Sequence, residues 1–332
     1  MNTVEKKSYI PSLIKALPYL VIIVAWAVMP MFVSSNFWMH TFIVVFVRCV
    51  GAVGLRTIAL SGNLSFAQAA FVGFGAYLSA VLSKELGMPV FITIPIATVT
   101  ATILGVLTGF PFVRLRSIYF SMASMFLGVA IVFSISALTI TGGSNGMRNI
   151  PALFTNINDF MLKSYYFFFV LALISCAVMY RFEFSRIGTT LRAIAQSPDA
   201  AAAMGVSEVY FRLLAVGFGS FFAGLVGAAY AHYNTSLSPT SFSMGIALWF
   251  IMYVMIGGKD SFIGPIIGTI LLVLIPESSR ALSQYAPYVT AAALLVVAYC
   301  LPGGLASIPS VIKKALVKRR EKPDSAEAEG GV

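Results

Sequence analysis

Between Arg212 and Lys259 the chain runs for 46 residues without an Asp, Glu, Lys or Arg. A hydrocarbon core about 30 Å thick is crossed by roughly 20 apolar residues in an α-helix. As a single helix this run would be about 69 Å long, so it must fold back into two crossings. Further uncharged runs cover 16–47, 57–83, 86–113, 117–147 and 281–312. Only 10% of the 332 residues are charged and 59% are hydrophobic, with a mean hydropathy of +0.90. An ordinary soluble domain carries about 25% charge. The pattern excludes a water-soluble globule and predicts an all-α, polytopic helical membrane protein.

The net charge of +10 reads as a record of orientation rather than as a nucleic-acid surface, because cations concentrate on the cytoplasmic side of membrane helices. Ten spans are predicted near 17–34, 39–57, 63–83, 89–113, 117–139, 164–180, 213–233, 242–257, 261–277 and 286–304. With the N-terminus inside, 17 of the 22 cations fall on the cytoplasmic side, including Arg56, Arg114, Arg116, four Arg of the 181–212 loop, Lys259 and the six from Lys313 to Lys322. The other side holds Lys84, Arg148, Lys163 and Arg280. Both termini are therefore expected in the cytoplasm, with eight to ten spans. Residues 1–16 form the N-terminal segment and 17–312 a single transmembrane domain. Residues 313–332 form a tail, basic and then acidic, whose basic part suits anionic lipid head groups. Lys6, Lys7 and Lys15 before Ala25-Trp26-Ala27 loosely resemble a signal peptide. Apolar sequence continues to Val33, so the first span is read as uncleaved.

Two hydrophilic stretches interrupt the apolar rhythm. Residues 140–163 are rich in Gly, Asn and Pro and fall outside by parity, either as a plain connection or as a contact for an external partner. The inner loop 181–212 carries four Arg and three acids around an Ala-rich core. Within it Ser197 is a candidate N-cap, Pro198 suits the first helical position, and Asp199 sits at the positive end of the dipole. Gly205 is placed to end the helix after about two turns. A short helix in the largest inner loop has the shape of a docking element.

Small residues four apart permit close helix approach in lipid. Gly219, Ala223, Gly227 and Ala231 form one such stripe, Gly264 and Gly268 a second, and Ala69 and Gly73 a third. Each stripe alone reads first as static packing. Polar residues inside spans are costly and so more informative. The segment SGNLSFAQ places Ser61, Asn63, Ser65 and Gln68 at the inner mouth of the third span. If helical throughout, Ser61, Ser65 and Gln68 share one face, whereas Gly62 would permit a break whose polar groups line a path or merely cap the helix. Arg48 lies mid-span without a neighbouring acid, so it must snorkel, face water or pair with another span. His232 and Asn234 close the seventh span, where a lone His reads as an interfacial hydrogen-bonding residue. Gly62–Phe66 and Gly258–Phe262 share the pattern G-x-x-S-F, which fits either chance or internal duplication.

Catalytic patterns are absent: the sequence holds no G-x-S-x-G, H-E-x-x-H or Walker A motif. Cys49, Cys176 and Cys300 are isolated in apolar runs and mark neither a metal site nor a disulfide framework. No acid lies well inside a span, which argues against an ion-coupled carrier or a stand-alone channel, so energy is expected from another subunit.

Three stretches, SGNLSFAQAAFVGFGAYLSAVL (61–82), RIGTTLRAIAQSPDAAAAMGVSEVYFRLLAVGFGSFFAGLVGAAYAHY (186–233) and SPTSFSMGIALWFIMYVMIGGKDSFIGPIIGTILLVLIPE (238–277), together resemble the LivM-type permease subunits of branched-chain amino-acid ABC importers. They cover about a third of the chain, in order. The resemblance implies a multi-pass permease of the bacterial inner membrane, paired with a second permease, two cytoplasmic ATPase subunits and an external solute-binding protein. It implies no cofactor on this chain, with ATP and Mg²⁺ on the partner subunits, and no enzymatic activity of its own. In that family the loop around A-A-x-x-x-G contacts the ATPase, which maps the contact onto Ala200, Ala201, Met204 and Gly205, with Arg192 and Asp199 beside them. Two departures are visible: Ala202 stands where an acid is usual, and Arg56 stands where a small polar residue is usual. The cargo implied is a branched-chain amino acid; urea, a short amide, an aromatic acid or a sugar would suit the same machine.

Overall fold

The protein, seen in a computed structural model, is described over residues 24–31, 35–154 and 159–278, with Tyr288 and Ala291. Among these residues it is all-α, without a strand. The membrane helices are α1 (Asn36–Ala59), α2 (Gln68–Lys84), α3 (Val90–Phe112), α4 (Ser117–Ala137) and α5 (Phe160–Glu183). Two short helices follow, α6 (Arg186–Gln196) and α7 (Pro198–Ala203), and then α8 (Glu208–Asn234), α9 (Met244–Gly257) and α10 (Gly264–Ser278). Six helical stretches are long and apolar enough to cross a bilayer: α1, α3, α4, α5, α8 and 239–257. The predicted spans from 39–57 to 261–277 each correspond to a helix. The first is described only over 24–31 and the last only at Tyr288 and Ala291, and the tail and both termini lie outside the described residues.

Most of α1 and α8 is buried, whereas α3, α4, α5 and α9 bury about one face each. Such a partition is expected in lipid, where a uniformly apolar helix gains nothing by hiding and packing is decided by shape. The predicted stripe on α8 supplies that shape. A Cβ on Gly227 would lie 2.0 Å from the Val72 carbonyl oxygen of α2, and one on Gly219 2.8 Å from Ile58 of α1. Ala223 between them and Ala231 one turn beyond are fully buried. The second stripe behaves alike, since Gly268 abuts the Tyr253 carbonyl of α9. Gly73, of the third stripe, packs on Phe242.

Two crossings are short. At 17 residues, α2 is about 26 Å long, and the segment 61–67 before it is not helical. The third span therefore starts at Gln68 rather than at 63, and of the two readings of this segment the break is the one seen, so Ser61, Ser65 and Gln68 do not share a helical face. Gly62, at φ +81°, makes the turn that ends α1. The segment 258–263 repeats the design: Gly258, at φ +108°, follows the end of α9, and α10 begins only at Gly264.

Hydrogen bonds gather the charges at two ends. Arg56 on α1 reaches Glu183 on α5 and the Lys259 carbonyl, and Arg212 on α8 donates to the Val113 carbonyl after α3 at 3.4 Å. At the opposite end Lys84 donates to the Arg148 carbonyl at 3.0 Å. This end is closed by a loop that pairs Met147 with Leu237.

Candidate functional site

The 181–212 loop is more structured than the sequence suggested. α5 extends to Glu183 and α8 starts at Glu208, so the connection is short and is filled by two helices rather than one. Ser185 caps α6 by accepting from the Ile187 amide at 3.2 Å while donating to the Phe182 carbonyl at 2.6 Å. A Cβ on Gly188 would lie 2.0 Å from the Glu183 carbonyl oxygen, so only glycine lets α6 cross the end of α5 this closely. Ile187, Leu191 and Ile194 occupy one helical face, and Leu191 packs with Leu60, Phe182 and Ala215. Ser197 then ends α6 and caps α7, accepting from the Ala200 amide at 3.4 Å.

α7 has the expected form: Pro198 first, Asp199 in the first turn, and Gly205 at φ +82° after its end. Ala201 is buried and its carbonyl accepts from the Val206 amide at 3.1 Å. Met204 is 85% exposed, and nothing lies within 4 Å of a Cβ placed on Gly205. Two anchored helices thus present an open tip carrying an uncovered apolar side chain.

Beneath this platform lies a charge network. Glu183 Oε1 accepts from Arg56 Nη2 at 2.6 Å and from Arg192 Nη2 at 2.5 Å, and its Oε2 accepts from Arg56 Nε at 3.0 Å. Arg56 Nη1 donates to the Lys259 carbonyl, and the Arg192 guanidinium rests over the Phe184 ring, 5.5 Å from its centroid. The side chains of Arg56 and Glu183 are 1% and 4% exposed, that of Arg192 40%. Burial of a charge is tolerated only with such complete pairing, and a planar guanidinium meets a carboxylate through two bonds at once. The network forms the floor of a cleft of about 1530 Å³ between α1, α5 and α10, with walls such as Val45, Phe169 and Ile266. The departure noted at Arg56 is thereby accounted for: its partner is Glu183, far off in sequence, which sequence reasoning missed. The signal available was a carboxylate at the end of a long apolar run, in a chain with only 12 acids.

The residues of SGNLSFAQ are all brought together. Ser61, Asn63, Ser65 and Gln68 are buried inside the bundle; of this stretch, Gly62 lines the cleft. Three serines of α4 hold the non-helical backbone. Ser117 Oγ donates to the Gly62 carbonyl at 2.8 Å, Ser121 Oγ to the Leu64 carbonyl at 2.9 Å, and the Phe66 amide donates to Ser124 Oγ at 3.0 Å. The match is geometric. Helix positions four apart rise about 6 Å, close to the roughly 6.6 Å spanned by two extended residues. Irregular backbone at membrane depth persists only when protein satisfies it, and these hydroxyls do so. The spacing 117, 121, 124 was the legible signal for this role. Gln68 Nε2 bridges the Gly51 carbonyl of α1 and the Gly219 carbonyl of α8 at 3.1 and 3.3 Å. The side-chain oxygens of Asn63 and Gln68 have no hydrogen-bond partner.

His232 sits at the other end, fully buried. Its Nε2 is 2.9 Å from Ser79 Oγ and its Nδ1 2.8 Å from the Pro151 carbonyl, so it fastens α8 to α2 and to the far loop. Asn234 is exposed and turns back to the Ser236 carbonyl at 2.7 Å. Of the alternatives open for Arg48, pairing with another span is the one seen: its Nη1 donates to the Tyr253 hydroxyl of α9 at 3.0 Å. Among the described residues, no group of three His, Cys, Asp or Glu is placed to hold a metal ion.

Comparison with known proteins agrees with this architecture. The family model described as "Branched-chain amino acid transport system / permease component" matches residues 15–301. The high-affinity branched-chain amino acid transport system permease protein LivM of Escherichia coli and that of Salmonella typhimurium are each 26% identical to the chain over 331 residues, covering 92% of it and 76% of the relative. No solved structure matches. A helical bundle with small-residue interfaces, a broken third crossing and an anchored polar platform is what that family match covers, and the chain belongs to the permease component family of branched-chain amino-acid transport systems, as a polytopic helical protein of the cell inner membrane.

Proposed function

We propose that this chain is one of two permease subunits of an ATP-driven importer and forms half of the pathway for branched-chain amino acids delivered by an external binding protein. The observation that carries the reading is the α6–α7 platform: two capped helices, seated on the bundle by Gly188 and Leu191, hold out a tip of Met204 and Gly205. In this reading the platform faces the cytoplasm, and one of two ATPase subunits, which bind ATP and Mg²⁺, docks on the tip. Asp199, Ala200 and Ala201 shape it and Arg192 flanks it. Closure of the ATPase pair moves the platform, and α8 repacks along its Gly219–Ala223–Gly227 face. Selection rests with the binding protein, so the pathway needs only weak contact with a zwitterionic amino acid.

The test is purification through a tag on this chain, followed by reconstitution with whatever co-purifies and with the binding protein. A second permease, an ATPase and ATP-dependent leucine uptake are expected. Uptake by this chain alone, without ATP, overturns the reading in favour of a stand-alone carrier. ATP-driven uptake of urea, a short amide, an aromatic acid or a sugar in place of leucine overturns the cargo only. Met204→Glu and Asp199→Lys are expected to lose the ATPase during purification, and undiminished assembly and uptake in both would remove the docking assignment.

A further inference from the structure

We infer that Glu183 is the positioning residue that joins the platform to the two non-helical turns of the bundle, and that the Arg192–Glu183 contact transmits platform movement to them. The inference rests on the reading that an ATPase docks on the platform. It is carried by the connectivity around one carboxylate. Glu183 ends α5, Arg56 belongs to the last turn of α1, and Arg192 lies on α6. From Arg56 the linkage divides. Along the chain it leads through Ser61, whose Oγ donates to the Ile58 carbonyl at 2.8 Å, into the segment 61–67. Through space it leads by Arg56 Nη1 to the Lys259 carbonyl, inside the turn before α10. The second G-x-x-S-F turn is thus bonded directly to the Arg56 guanidinium, the first follows Arg56 a few residues along the backbone, and the guanidinium is bonded to Glu183.

The two arms differ in kind. Arg56 takes both carboxylate oxygens and is wholly buried, so this arm is fixed: separating it would strand a charge away from water. Arg192 takes Oε1 alone and is 40% exposed, so water competes for it and the arm can open. α6 does not need this arm in order to stay folded, because Leu191 and Ile194 are buried beneath it and Ser185 caps it. Removing the Arg192 guanidinium should leave the platform standing but disconnected.

The assembled transporter is reconstituted with its binding protein, and solute taken up per ATP hydrolysed is compared for the native chain and for Arg192→Ala, Arg192→Gln and Arg192→Lys. Arg192→Ala and Arg192→Gln are expected to assemble and hydrolyse ATP with uptake per ATP lowered at least about fivefold, the low end of typical coupling between sites. Arg192→Lys, which keeps the charge, recovers part of the ratio. An unchanged ratio in Arg192→Ala, with or without a lower yield of complex, shows a merely structural contact and overturns the proposal. Glu183→Gln leaves Arg56 facing a neutral amide and is expected to accumulate poorly, so the Arg192 series carries the test. A native chain without ATP-driven uptake overturns the functional reading and this proposal with it. Native coupling with an unaltered Arg192→Ala ratio overturns this proposal alone.

Discussion

The Arg56 guanidinium meets the Glu183 carboxylate through two hydrogen bonds, 3.0 and 2.6 Å long, across 127 residues of sequence. Both side chains are almost fully buried, 1% and 4% exposed. Removing one member of such a pair costs about 3–5 kcal/mol, whereas an apolar replacement of both is often neutral or better. Arg56→Met and Glu183→Leu should each lower the melting temperature of the detergent-solubilised chain, and the double variant should recover much of the loss. Additive losses in the double variant would show that the two groups do not stabilise the fold as a pair.

The serine ladder of α4 should show a gradient set by burial. Ser124 is buried and is the acceptor for the Phe66 amide, whereas Ser117 is exposed, where water can replace its hydroxyl. An orphaned buried donor costs about 1–3 kcal/mol, so Ser124→Ala should destabilise more than Ser121→Ala, and Ser117→Ala least. Thermal unfolding of the three variants would reveal the order, and equal effects would contradict the assigned role.

Glycines should separate sharply by what they face. Gly227→Ala drives a methyl against the Val72 carbonyl at 2.0 Å, and such overpacking costs about 1–3 kcal/mol or more. Gly245, in the first turn of α9, has only Ser243 Oγ at 3.9 Å, and Gly245→Ala should be neutral or stabilise by about 0.5–1 kcal/mol. Expression level and melting temperature would distinguish them.

His232 should act as the fastening of the far loop. Besides its side-chain bonds, its carbonyl accepts from the Leu153 amide at 3.0 Å, and Thr235 accepts from Ile150 at 3.0 Å. Exchanging His232 for Ala removes the side-chain link to Pro151, so trypsin should cut after the exposed Arg148 faster in His232→Ala than in the native chain. An equal cleavage rate would mean that the loop is held without the imidazole.

What could be read from the sequence was what is local or periodic. The cap, first-turn and stop residues of α7 lie within nine positions of one another, and the stripe on α8 repeats every four. Arg48 was visible as costly and Arg56 as a departure from the family pattern, but their partners Tyr253 and Glu183 come from remote segments, and no spacing announces them. For a related reason the sequence left Ser61, Ser65 and Gln68 open between a helix and a break. Their spacing fits a helix, yet the positive φ of Gly62 and the hydroxyls of α4 favour extended backbone there. α6 was hidden by its charges, although Ile187, Leu191 and Ile194 carry a helical period.

The serine ladder bears on how the protein is made. The Gly62 carbonyl finds its hydroxyl 55 residues later in the chain, and the Phe66 amide 58 residues later. Until α4 emerges from the ribosome, the Phe66 amide at the buried end of the ladder lacks its partner, and such an unsatisfied peptide group costs several kcal/mol in hydrocarbon. The third crossing is therefore a poor candidate for release into lipid by itself. The third and fifth crossings should leave the insertion channel as partners, and their order of synthesis need not be their order of integration.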